Sequence, residues 1–112
     1  NILLEVNVGK EESKSGIFLE GLNDLIAEVS EMENIKIKGL MTIPPICDSE
    51  AEVSKYFESM YQTFIDIKNK KIDNVDMDIL SMGMSHDYEA AVKNGSNIVR
   101  VGSAIFGARK YF

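Results

Sequence analysis

The sequence predicts an α/β fold of parallel strands in the order βαβαβαβ. Four short segments have strand character, three stretches between them carry apolar residues at helical spacing, and right-handed crossovers would bring such strands into one parallel sheet. At 112 residues with 45% apolar content, the chain is one domain at most and can bury a modest core.

Ile2, Leu4, Val6 and Val8 alternate with Leu3, Glu5 and Asn7, a period of two that predicts a strand over 2–8. Gly9 to Gly16 breaks the pattern as a loop. From Phe18 onward Leu22, Leu25, Ile26, Val29 and Met32 recur every three or four residues and form one apolar helical stripe. Ile35 to Ile43 is expected to be the second strand, stopped by Pro44 and Pro45, which have no N–H for a ladder. Ser49 with Glu52 three residues on is a capping-box signature, and Val53, Tyr56, Phe57, Met60, Phe64 and Ile67 mark the buried face of the helix that follows. Such aromatics and methionines are core packing. Asp78 to Met82 is expected to be the third strand, running into Gly83, with Ser85 capping a helix closed by Asn94 and Gly95. Ile98 to Val101 is the fourth strand, and Gly102 to Gly107 has room for one short helical turn.

Four parallel strands with three crossover helices suit either a small open sheet or half of an eight-stranded barrel. Glu5, Asn7, Lys36, Lys38, Ser81 and Arg100 interrupt the strands with polar groups. A barrel that turns some of them inward to a ligand tolerates this better than a sheet covered on both faces.

The net charge of −6 opposes binding to nucleic acid, and no apolar span is long enough for a membrane helix. The lone Cys47 cannot form an internal disulfide, so the chain reads as cytoplasmic, with Cys47 a reduced bystander. Asn1 leads directly into an apolar strand, which predicts a segment cut from a longer protein.

Two segments carry chemistry. Leu80 to Ser85 is a strand end turning into a helix, where Gly83 admits a close ligand and the unpaired amides of the helix start favour an anion; Asp87 and Glu89 nearby would equally satisfy the helix dipole. In Val99 to Gly107, Arg100 and Gly102 face the same side of a strand, about 6 to 7 Å apart. That span suits a ring nitrogen at one end and a phosphate at the other, with the Gly102 and Ser103 amides and the Ser103 hydroxyl as donors. Arg100 could instead pair with Asp76 or Asp78. In (β/α)₈ barrels a phosphate often sits between the loops after strands seven and eight.

Val6-Asn7-Val8 with Ser13 to Ile17, then Gly39 to Pro44, Leu80 to Ser85 and Val99 to Arg109 resemble the successive signatures of the YggS/PROSC pyridoxal phosphate homeostasis family, over nearly the whole chain. The resemblance implies a single (β/α)₈ TIM-type barrel like the N-terminal domain of alanine racemase, residues 1–112 being its C-terminal half, strands five to eight. It implies pyridoxal phosphate as cofactor, with Ser81, Gly83, Met84, Ser85, Gly102 and Ser103 around the phosphate and Arg100 facing the pyridine nitrogen. A guanidinium stays charged and disfavours protonation of that nitrogen, which makes the ring a weaker electron sink.

In this family the Schiff-base lysine belongs to the first barrel strand, and no lysine here matches its motif. Lys14 lies at the mouth of the expected site, Lys36 and Lys38 before a strand's C-terminal end, and His86 is a surface residue at a helix start. No catalytic or metal-ligating residue is assigned. The expected function is a protein that sequesters or delivers pyridoxal phosphate. The alternatives are a racemase-like enzyme on the same barrel and an unrelated sugar-phosphate isomerase barrel. Racemase-like enzymes add a β-rich domain after the barrel, so an end at Phe112 favours the first reading, and an isomerase should carry carboxylates where Asn7, Thr42, Ser81 and Arg100 stand. The expected partners are the cofactor and either the missing half of the barrel or a second copy of the chain.

Overall fold

Ile2–Val6 forms β1, Ile37–Thr42 β2, Val75–Met84 β3 and Ile98–Arg100 β4 in a computed structural model that describes residues 1–11, 15–45 and 47–100. Between them lie helices α1 (Leu19–Ser30), α2 (Glu50–Lys70) and α3 (Tyr88–Lys93). Among the described residues the sheet runs β1-β2-β3-β4, every neighbouring pair parallel. A doubly wound open sheet reverses its order at a switch point. Here the order follows the chain without reversal, and the helices share one core, which matches the barrel-type arrangement.

That core lies on one face of the sheet. Leu4 and Val6, Leu40 and Thr42, and Leu80 and Met82 are all buried against Leu22, Ile26 and Val29 of α1, the apolar stripe of α2, and Ala90 and Ala91 of α3. Phe57 and Met60 of α2 are wholly buried, as their helical spacing predicts. The other face carries the alternate residues Leu3, Glu5, Met41 and Ile79, which are only partly covered, together with Ser81 and Arg100. Along it Glu5, Met41, Ser81 and Ile98 stand in one row across the four strands.

The structure moves several expected boundaries. β1 ends at Val6 instead of Val8, because the loop residue Ile17 bridges to Val6 and takes the Asn7 N–H at 2.8 Å while donating its own to Glu5. β2 is shorter than Ile35 to Ile43. β3 is twice the expected length: Val75 and Met77 are buried, and the carboxylates of Asp76 and Asp78 reach Lys36 and Lys38 across the strand pair. Phe18 and Met32, expected in the α1 stripe, lie outside the helix and are exposed. Ser49 caps α2 by accepting the Glu52 N–H at 3.2 Å, but Glu52 reaches back to the Asp48 N–H at 3.4 Å, one residue earlier than a capping box requires. Ser85 does not cap α3; the N-cap is Asp87. Asn94 and Gly95 close that helix as expected, with Gly95 at φ +100°.

Candidate functional site at the strand ends

The site begins with a bulge. Ser81 pairs with Ile98 and Met84 with Arg100, so three residues of β3 advance against two of β4. Gly83 sits in this irregularity at φ +106°, and a Cβ there would lie 2.7 Å from the Ala91 Cβ and 3.1 Å from the Tyr88 Cα. Glycine is therefore required by backbone conformation and by the close approach of α3. The expectation that Gly83 also lets a ligand approach the backbone stands beside this packing requirement.

Beyond the bulge the chain turns tightly. The Met84 N–H donates to the Asp87 Oδ1 at 2.7 Å, and the Asp87 N–H donates to the Met84 carbonyl at 3.1 Å. The Asp87 side chain is 7% exposed, and its second oxygen lies 3.4 Å from the His86 Nε2. A carboxylate thus claims the Met84 amide, which leaves Met84 to shape the turn between Gly83 and Ser85.

β4 spans three of the described residues, and the two residues before it fix it to β3. Asn97 accepts the Leu80 N–H at 2.8 Å through Oδ1 and donates Nδ2 to the Asp78 carbonyl at 2.8 Å, while its own N–H reaches the Leu80 carbonyl at 3.1 Å. The Ser96 hydroxyl lies 2.6 Å from the Met82 carbonyl. These side chains extend the ladder where backbone pairing is sparse.

So held, Arg100 reaches back across the sheet. Its Nη1 donates to the Ser81 hydroxyl at 2.5 Å and its Nη2 to the Thr42 carbonyl at 3.1 Å, which excludes a pairing with Asp76 or Asp78. Those aspartates belong to Lys36 and Lys38 at the opposite end of the strands. Burial pulls the Arg100 guanidinium below its ordinary value, opposed by the negative fields of Asp87 and Glu5. It remains a cation at biological pH. Its Nε is buried and has no acceptor among the described residues. A buried, unsatisfied donor on a cation calls for an acceptor, and the ring nitrogen of a heteroaromatic ligand would satisfy it.

The structure thus brings Ser81, Gly83, Met84, Ser85 and Arg100 to the C-terminal ends of two adjacent strands. Gly102 and Ser103 lie outside the described residues, as does Lys14. Periodicity did not reveal Thr42, Asp87, Ser96 or Asn97, since a backbone acceptor and side chains bonded to backbone leave no regular pattern. Asp87 alone had a signal, an Asp immediately before a helical run.

A second feature opens on the helix side of the same rim, a cavity of about 380 Å³ lined among others by Cys47, Ser49, Ser85, His86 and the carboxylates of Asp48, Glu50 and Glu89. Those charges disfavour an anion there. Cys47 donates to the Pro45 carbonyl at 3.3 Å, and burial together with Glu52 and Asp48 pushes its thiol up, so it stays protonated and is a poor nucleophile. Among the described residues no three of His, Cys, Asp or Glu are arranged to hold a metal ion, and no helix is long and apolar enough to cross a membrane.

Residues 1–110 match the family model described as alanine racemase, N-terminal domain. The chain is 43% identical over 111 residues to the pyridoxal phosphate homeostasis protein of Aquifex aeolicus, covering 99% of this chain and 48% of that protein. To the protein of the same name in Escherichia coli it is also 43% identical, covering 46% of it. The chain spans about half the length of the curated relatives it matches. Among solved structures it is similar to a protein of unknown function from Bifidobacterium adolescentis, with a TM-score of 0.86 and 37% identity over 93% of this chain and 42% of that one. It is also similar to PipY of Synechococcus elongatus solved with pyridoxal phosphate bound, with a TM-score of 0.79 and 28% identity over 94% of this chain and 48% of that one.

Proposed function

This chain belongs to the alanine racemase N-terminal domain family, and from that premise we propose that it is the C-terminal half, strands five to eight, of a pyridoxal phosphate-binding barrel that stores or delivers the cofactor. The observation that carries this reading is Arg100: a partly buried guanidinium fixed through both terminal nitrogens, with its buried Nε left for an acceptor, beside the turn at Gly83 to Ser85. In this arrangement Arg100 meets the pyridine nitrogen, and Ser85 with Gly102 and Ser103 surrounds the phosphate. Pyridoxal phosphate supplies an electron sink when bound. An arginine at its nitrogen weakens that sink, which favours carriage over racemisation.

The lysine that would hold the cofactor covalently belongs to the other half of the barrel. That half would also cover what this one leaves open. Among the described residues β1 and β4 are the two edges of the sheet, and Ile2 on one and Ile98 on the other are 36% and 44% exposed. Unpaired edges beside exposed isoleucine promote association, so the isolated segment is expected to self-associate or to retain the complementary half. A monodisperse, stable monomer by light scattering would contradict this.

The cofactor reading is tested in the full-length protein containing this segment by incubation with pyridoxal phosphate, borohydride reduction and peptide mapping. The expected result is one reduced adduct on a lysine that precedes Asn1. Absence of any adduct would overturn the reading. Amino-acid racemisation by the same protein would replace carriage with enzymatic turnover.

A further inference from the structure

We propose that Ser81 is a positioning residue for Arg100 and not a ligand of the phosphate, an inference that rests on the cofactor reading above. The Ser81 hydroxyl accepts from the Arg100 Nη1 at 2.5 Å while the Thr42 carbonyl accepts from Nη2 at 3.1 Å. Two acceptors on two different strands fix both the plane and the rotation of the guanidinium. The direction of the remaining Nε–H follows from them.

Depth in the sheet supports the same assignment. Ser81 is 5% exposed and pairs with Ile98, two residues before Arg100. Three strand rises, roughly 10 Å, separate it from Met84 at the rim. One phosphate does not bridge that distance. The arginine side chain does, by folding back along β4 to the deeper layer.

The Thr42 acceptor is itself secured, since the Thr42 hydroxyl donates to the Val6 carbonyl at 2.6 Å in the core. Two carboxylates compete with Ser81 for the arginine: Asp87, whose field on the guanidinium is the stronger, and Glu5, which stands in the same row of the sheet as Ser81. Without the hydroxyl, attraction to these carboxylates would draw the guanidinium off its place and turn Nε away from the ring.

The test uses the full-length protein with pyridoxal phosphate and, separately, phosphate-free pyridoxal, each captured by borohydride reduction. Ser81→Ala is expected to weaken both ligands by the same factor, about 10-fold. It should also shift the absorbance band that reports protonation of the ring nitrogen. Ser81→Thr, which keeps the hydroxyl, should restore affinity and band. In an Arg100→Ala background, Ser81→Ala should add nothing, since the two residues act as one unit. A loss confined to pyridoxal phosphate, or a full additional loss in the Arg100→Ala background, would overturn the proposal and return Ser81 to the phosphate. Failure of the unsubstituted protein to take up either ligand would overturn the cofactor reading itself, a distinct outcome visible before any variant is made.

Discussion

The carboxylate of Asp87 accepts the Met84 N–H at 2.7 Å, so a buried charge seven-hundredths exposed closes the turn that carries the chain from β3 into α3. Asp87→Ala would leave that amide without its acceptor, while the N-cap position of α3, where the Asp87 side chain makes no capping bond, would be little changed. The expected loss of stability is about 1–3 kcal/mol. Asp87→Asn keeps an oxygen in the same place and should lose less than half as much. Urea denaturation of the two variants checks this, and equal losses would show that charge, not acceptance, matters at the turn.

Gly83 meets two separate constraints, and substitution separates them. Gly83→Ala places a methyl 2.7 Å from the Ala91 Cβ and forces an L side chain to φ +106°. A destabilisation of about 2–4 kcal/mol is expected. Adding Ala91→Gly removes the methyl contact but not the backbone strain. The double variant should therefore be less destabilised than the sum of the two single changes. Strict additivity would mean that α3 does not press on Gly83.

The attachment of β4 depends on side chains. Asn97→Ala removes the acceptor of the Leu80 N–H and the donor to the Asp78 carbonyl. Because Asn97 side-chain bonds hold the start of β4 to β3, the loss should appear as local fraying before global unfolding. Hydrogen exchange of the Leu80 amide is expected to rise at least 10-fold while amides in β2 keep their protection. A uniform rise across the sheet would place Asn97 in the global core instead.

The first two strands and the first two helices were legible because their apolar residues repeat at two or at three and four, and burial of one face enforces that period. Val53, Phe57, Met60, Phe64 and Ile67 are buried as their spacing requires. The site was only half legible. Gly83 looks like a strand terminator, yet β3 continues through it as a bulge, because a glycine marks both features equally. Ser85 has the chemistry of a cap, but Asp87 takes the position two residues later, where its carboxylate also reaches Met84. The Arg100 partners Ser81 and Thr42 lie 19 and 58 residues away in sequence. Contacts so distant depend on strand register, which local patterns do not encode.

At the other end of the strands, Lys36 and Lys38 pair with Asp76 and Asp78 at 2.8 to 3.4 Å. The Lys36 ammonium first, with Lys38 beside it, holds the Asp76 carboxyl below its ordinary value, and Asp78 chiefly raises the Lys38 ammonium above its own. A carboxylate depressed in the folded state stabilises above its unfolded pKa, and the gain is lost as pH falls through the folded value. A raised lysine stabilises below its unfolded pKa, and that gain is lost as pH rises through the folded value. Asp76→Asn should therefore lower the thermal midpoint slightly at neutral pH, the groups being solvent-exposed. The difference from the unsubstituted chain should vanish below the acidic range in which Asp76 protonates and shrink in high salt. A difference that persists at low pH would assign the effect of Asp76 to packing instead of charge.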